Sequence, residues 1–507
     1  MRTALSIVRP IIFGTALLSG VAGAQGATVL NIGLAGDPGS LDPAQSGNFI
    51  DRNVFAAICD KLIDTDAEMN YVPQLATRWE WSDDRRALTL YLRDGVTFHD
   101  GTAFDAEAVK INLDRFRTMP RSLRRAELAA LESVEVLDPR TVRLRLSVPS
   151  APLLAVLADR SGMMLSPAAI QQRGDGIGQH PVCAGPFTFT ERVAQDRIVV
   201  DRFGGYWNAS AIMLDRIVYR PITDSTVRLL NLRSGQLQII DQVAPTDVPD
   251  LQSNRRLRLA RHVAAAYRTL QFNVAHGPRA DTPLGRDPRL RRAFEKAIDR
   301  EAINQVVFNG LFVPSNQTES PRTRYWNPDH PVGGADIAGS RALLRQAGVA
   351  RVAFTLQIAN TPIDAQIGEV IQSMAREAGF DVKLEQVESN AGNQKNQAGD
   401  FDAALLTWSG RSDPDANLSI WFACNGPFNF GRYCNPRMEA LLTEARGVAD
   451  PAIRLPLYRQ VVNLYHTDVP HVILYHYTWL WGLSDRVENF VPNADGLIRM
   501  QGLRLRP

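Results

Sequence analysis

Between an apolar run and a helix-forming run lie Trp408, Ser409, Gly410, Arg411, Ser412, Asp413, Pro414 and Asp415, a short stretch holding an indole, a guanidinium and two carboxylates. Four kinds of chemistry suit such a set: an acid pair, a metal site, a ligand loop or a polar turn. Two aspartates flanking a single proline sit too close in sequence to act as opposed acid and base, groups that sugar hydrolases hold about 5–9 Å apart across the scissile bond. As a ligand loop the set is coherent. A carboxylate can neutralise a buried ammonium, which is very costly to leave unpaired. Arg411 can grip a carboxylate with two prongs, and Trp408 can offer a ring face to a cation. As a turn it is equally coherent, because Asp caps helices well and Pro suits a first turn. Both can hold at once, with one aspartate capping a helix over Ala416–Phe422 and the other facing a ligand.

Elsewhere the reactive residue types are sparse. His99 in "FHDG" follows a strand pattern and fits a turn better than a metal pair. His466, His471 and His476 look like a cluster. Yet His471 and His476, five apart in one strand, point to opposite faces, which argues against joint metal ligation. There is no G-x-S-x-G, H-E-x-x-H, Walker or dinucleotide fingerprint. Catalysis has no support in the motifs. Cys424 and Cys434 bracket the turn-rich "NGPFNFGRY", and a bridge there would close a short loop; Cys59 and Cys183 then pair by elimination, joining distant segments. Zinc is the alternative, but no C-x-x-C or nearby His pair accompanies the cysteines.

Met1 to Ala24 has the layout of an export signal: Arg2 and Arg9, an apolar stretch from Pro10 to Leu18, and the small residues Ala22-Gly23-Ala24. The apolar stretch is shorter than the roughly 20 residues that span a bilayer. The first cysteine is Cys59, so none stands near the cleavage point to carry a lipid. Cleavage removes two arginines and no acid, taking the formal charge from +2 to neutral. A neutral chain without a basic stripe gives no footprint for nucleic acid. At 507 residues with ordinary apolar content, the chain should form more than one globular unit.

The elements that must position these residues alternate between strand and helix. "TVLNIGLA" from Thr28 to Ala35 reads as a first strand, followed by a turn-rich segment and a helical stretch through "FIDRNVFAAICDKL". Leu88, Leu90 and Leu92 alternate with polar or small neighbours, the period of a half-buried strand; "TVRLRLS" repeats it. Phe104–Phe116 reads as a helix with acids at its positive end. From Tyr267 a second unit begins: a strand, a helix pair over Asp287–Phe308, then helices stopped by glycine and followed by strand. That order predicts a sheet covered by helices. The final strand-like "VILYHYTWLWGL" is expected to return to the first unit.

The order of segments resembles the large periplasmic solute-binding proteins of ABC importers, the group handling peptides, glutathione, opines and nickel complexes. The resemblance is carried by "GDPGSLDPA", "CDKLID", "VPQLATRWEWSDD", "LYLRDGVTFHDGTAFDAEAVK", "AGPFTF", "LRSGQLQI", "DPRLRRAFEKAIDR" and "WSGRSDPDAN". It implies an α/β protein of two lobes joined by a hinge, with an inserted domain in the first lobe at about 70–181. Lobe I would then cover 25–266, lobe II 267–474, and 475–507 would return to lobe I. The implied function is capture of a small solute in the interlobe cleft, foremost a short peptide or amino-acid conjugate and alternatively a metal chelate such as a nickel complex, an opine or another solute, and its delivery to a membrane permease. The protein would act as a periplasmic monomer with no catalytic residue, metal or cofactor. In relatives that bind peptides, a carboxylate of the matching Asp-Pro loop pairs with the ligand amine; Asp413 and Asp415 both match. Trp408, Ser409 and Arg411 of that loop join the expected contacts. Arg160 lies where the inserted domain rejoins, and Asn48 and Asp51 where the first lobe's loop reaches the cleft. Their competing roles are a surface salt bridge and helix capping.

Overall fold

The computed structural model describes residues 27–448 and 450–506. The expected export signal, Met1 to Ala24, lies outside them. The large sheet is built around two long antiparallel strands, Leu257–Phe272 and His471–Ser484, which run side by side for most of their length. On one flank, Ala403–Trp408 pairs with the first of them, and Val352–Ala359 and Phe380–Val387 continue outward. On the other flank follow Ile239–Ile240, Val29–Leu34, Arg216–Pro221, Arg197–Arg202 and Phe187–Val193. Each flank has its own core. One packs Phe55, Phe187, Tyr219 and Trp481; the other packs Phe272, Phe294, Phe354 and Phe380 as edge-to-face rings. The result is two α/β lobes sharing two strands.

The shared strands lose register between Val263 and Tyr267 and again between Arg268 and Thr269. Extra residues in one strand bend it and break the ladder, so the sheet is bent at the crossing between the lobes.

A third core belongs to an antiparallel sheet of Ala76–Trp81, Ala87–Leu92, Thr141–Leu146 and Leu131–Asp138. Leu88, Leu90 and Leu92 face inward as their alternation predicts, and the helix Ala106–Thr118 lays Val109, Leu113 and Phe116 over them. That helix starts two residues later than the sequence reading, because Asp105 is its cap, accepting a bond from the Ala108 amide at 2.9 Å. The expected pair over Asp287–Phe308 forms as Pro288–Lys296 and Arg300–Phe308, with Asp299 capping the second. Glycine ends Pro362–Ala378 as expected, Gly379 taking a left-handed φ of 106° that a Cβ would strain.

Both cysteine pairs are bridged, Cys59 to Cys183 and Cys424 to Cys434. With a sequence separation of 10, the short bridge is expected to contribute about 3 kcal/mol on the chain-entropy model. Urea unfolding of a Cys424→Ser/Cys434→Ser variant checks this. No loss of midpoint would show that the loop is already fixed by its bonds around Asn429.

Candidate functional site

The strand Ala403–Trp408 delivers the loop to the crossing point, since Trp408 stands opposite Tyr267 at the end of its ladder. Gly410 then turns with φ 73°, and a Cβ there would lie 2.3 Å from the Ala265 carbonyl carbon. Only glycine lets the loop pass this close to the bent strand. The helix Asp415–Phe422 follows, its first turn held by the Asp415 amide donating to Asp413 Oδ1 at 2.9 Å.

The loop's charges are largely committed within the protein. Asp413, 5% exposed, receives Arg454 Nη1 and Nη2 at 2.7 Å each, a two-pronged buried pair. Asp415 accepts from the Ser419 hydroxyl at 2.6 Å and from Arg446 Nε at 3.2 Å. Burial raises the Asp415 carboxyl while Arg446 pulls it down. Trp408 donates to Asn417 Oδ1 at 3.0 Å, and its ring face is covered by the Arg411 guanidinium, 4.7 Å from a ring centroid. Ser409 accepts a bond from Arg411 Nη1 at 2.9 Å.

Arg411 also crosses to the first lobe. Its Nε lies 3.3 Å from Asp159 Oδ2. Arg52 reaches the other oxygen at 3.1 Å, and Arg160 and Arg124 stand beside it. Burial works to raise the Asp159 carboxyl, but the guanidiniums of Arg52, Arg160, Arg411 and Arg124 together hold it well below the usual carboxylate range. Burial brings Arg160 down to about 10 against the pull of Asp159. Arg160 donates to Ser46 Oγ at 3.3 Å and to the Asn48 carbonyl at 3.2 Å; Asp51 accepts from Ser46 at 2.7 Å and from the Gly39 amide at 2.7 Å. Two further bonds join the lobes directly: Ser412 Oγ to the Tyr71 hydroxyl at 3.2 Å, and the Ala151 amide to the Arg446 carbonyl at 2.9 Å.

Between these contacts lies a cavity of about 640 Å³. Its wall includes Arg411, Ser412 and Asp413 from the loop, Tyr71 and Trp81 from the first lobe, His262 to Ala265 from the bent strand, and Thr318 to Ser320 with Arg322 to Tyr325. Of the residues expected at a ligand, the structure sets Arg411 and Asp413 in this wall. Trp408 and Ser409 stand behind Arg411 and steady it. Asp415 turns to Arg446, away from the cavity. Arg160, Asn48 and Asp51 form the buried backing against which Arg411 and Asp159 meet. Sequence reasoning missed Glu319, Arg322, Arg324, Tyr325 and Arg454, all in the wall. Asp159 had a signal, its place beside Arg160 in "LADRSG", whereas Glu319 sits in "NQTESPRTRYWN", which has no period to mark it. Among the described residues no cluster of three or more His, Cys, Asp or Glu is arranged to hold a metal. No helix there is long and apolar enough to cross a membrane.

A two-lobed α/β body with a walled cavity at the crossing defines a hinged solute-binding protein. The chain belongs to the bacterial extracellular solute-binding proteins, family 5, whose middle-region model matches residues 70–429. It is 29% identical over 449 residues to the glutathione-binding protein GsiB of Pectobacterium atrosepticum, covering 86% of each chain. Among solved structures it resembles the periplasmic binding protein AgaA of A. tumefaciens R10 in complex with agropinic acid, at 26% identity and a TM-score of 0.82, covering 94% of this chain and 99% of that one. The fold is shared with DppA of Helicobacter pylori in complex with the peptide STSA, at 24% identity, a TM-score of 0.82, and 95% and 98% coverage. The protein is the solute-binding component of an ABC importer: it captures a small solute between its lobes and delivers it to a membrane permease. Its family and relatives are transport proteins rather than enzymes.

Proposed function

We propose that the mature chain works in the periplasm as a monomer after cleavage of its signal near Ala24. There it binds a short peptide or amino-acid conjugate carrying at least one carboxylate, and it releases that solute unchanged. The observation that carries the solute class is the charge of the cavity wall. Four arginines, Arg322, Arg324, Arg411 and Arg454, line it with three carboxylates, Glu68, Glu319 and Asp413, and Arg411 is tied to Asp159 behind it. Asp413 is spent on Arg454. Burial, helped by Asp413, pushes the Glu319 carboxyl up to about 7, so it carries only part of a charge at neutral pH. That leaves Arg322 and Arg324, in no salt bridge among the described residues, against Glu68 and a partly charged Glu319, a small cationic excess that suits an anionic group on the solute. Trp81, Tyr71 and Tyr325 add apolar faces for an aliphatic or peptide backbone. Glutathione, named for one relative, and agropinic acid, bound by another, both meet this description.

Thermal unfolding against a panel of glutathione, di- and tripeptides, opines and nickel chelates tests the reading. A cognate solute at about 100 times its Kd should add about 2.7 kcal/mol, and chromatography should return it intact. Stabilisation by nickel chelates alone would overturn the solute class. Turnover of the solute would overturn the binding role.

A further inference from the structure

Each aspartate near the cavity has a guanidinium partner: Asp413 has Arg454, Asp415 has Arg446, and Asp159 has Arg52 and Arg411. Glu319 is different. It lines the cavity at 6% exposure, and it forms no salt bridge among the described residues. Its side-chain partners are neutral, the Asn417 amide nitrogen at 2.8 Å and the Thr323 hydroxyl. The charged groups nearest to it are Asp413 and Arg454, which already satisfy each other. The other titratable groups around it are Tyr267, Tyr325, Tyr465 and the His476 ring, the last close to its backbone. Glu68, the other unpaired acid of the wall, is exposed on the rim and solvated.

A buried carboxylate without a cation is strongly disfavoured. Two events relieve it: uptake of a proton, or arrival of a cation from the cavity. We propose that Glu319 is the specificity-determining acid of this cavity and receives a cationic group of the solute, the ammonium of a peptide or amino-acid conjugate. The inference rests on the cavity being the solute site. It assigns to Glu319 the task that the loop sequence suggested for Asp413 or Asp415. Geometry supports the transfer, since both aspartates already hold arginines. Near neutrality Glu319 is partly protonated. An arriving ammonium favours the carboxylate form, so the carboxyl proton leaves to the buffer as the ion pair forms, and charge balances.

Calorimetry at pH 7 with glutathione and dipeptides, each beside its N-acetylated form and in buffers of different ionisation enthalpy, provides the test. The wild type should release a measurable fraction of a proton per amine ligand and none per acetylated ligand. Glu319→Gln should weaken amine ligands at least tenfold, abolish the proton release and change acetylated ligands less than threefold. Glu319→Asp should retain part of the release. Equal weakening of both ligand forms, or none, would overturn the assignment. If no probe binds the wild type, the solute reading fails by itself, and a ligand-free comparison still judges Glu319. Its folded pKa lies above the ordinary 4.5, so its contribution is complete below that value and is lost as pH rises through about 7. Gln has no such loss, so the melting temperature of Glu319→Gln relative to wild type should climb from pH 5 to 8. A difference that is flat with pH would mean that the carboxyl is solvated and free to ionise, and the assignment would fall.

Discussion

Arg454→Met is expected to cost about 3–5 kcal/mol of folding stability, the usual consequence of leaving one half of a buried ion pair alone. Asp413 would lose both of its 2.7 Å bonds at 5% exposure, with the Tyr458 hydroxyl losing its Arg454 bond as well. Methionine keeps much of the volume, so the effect isolates charge rather than packing. Asp413→Asn in the same background should recover a large part of the loss, because the stranded charge is then gone; urea midpoints for the two singles and the double complete the cycle. Losses that simply add would show that the two side chains do not depend on each other. The consequence for function is local. Asp413 also ties the first turn of the helix Asp415–Phe422, which carries Asn417 against Glu319.

Asp159→Asn should be of similar size, about 3–5 kcal/mol, for the converse reason: several cations lose one anion. Arg52 and Arg160 are buried around it, and of the nearby acids Glu127 is already engaged by Arg124. The loss should appear in denaturant unfolding. It should be accompanied by a larger radius of gyration in small-angle scattering, because Arg411 loses its anchor in the other lobe. A loss below about 1 kcal/mol, the range of an exposed pair, would mean that water already screens the cluster.

Much of the fold is legible because it is written in periods and punctuation. The alternation of Leu88, Leu90 and Leu92, the acid that caps Ala106–Thr118 and the glycine that ends Pro362–Ala378 are local signals, each decided within a few residues. The loop from Trp408 to Asp415 is legible as a loop for the same reason. Its electrostatics are not. Whether Asp413 faces a ligand or an arginine depends on Arg454, 41 residues further along the chain. Whether Arg411 is free depends on Asp159, in the other lobe. Such pairings are made by the tertiary fold, and a run of charges carries no mark of its partners. Glu319 was hidden by a further feature. The run Ser315–Ser320 is polar throughout yet buried throughout. A run of that composition is what a surface loop also has. Its place in the fold makes it a wall.

The direct bonds between the lobes, Arg411 to Asp159, Ser412 to Tyr71 and Ala151 to Arg446, have a consequence for transport. None of them involves the solute, so they add to the stability of the lobes-together arrangement and help set the fraction of molecules closed before binding. Apparent affinity then improves as that fraction grows, since the observed constant is the intrinsic one divided by the competent share. The same fraction is a source of false signals. A permease that sensed only lobe closure would be visited by empty carriers in proportion to it, and would cycle without cargo. A permease that also sensed a feature fixed only by the loaded cavity would avoid those visits.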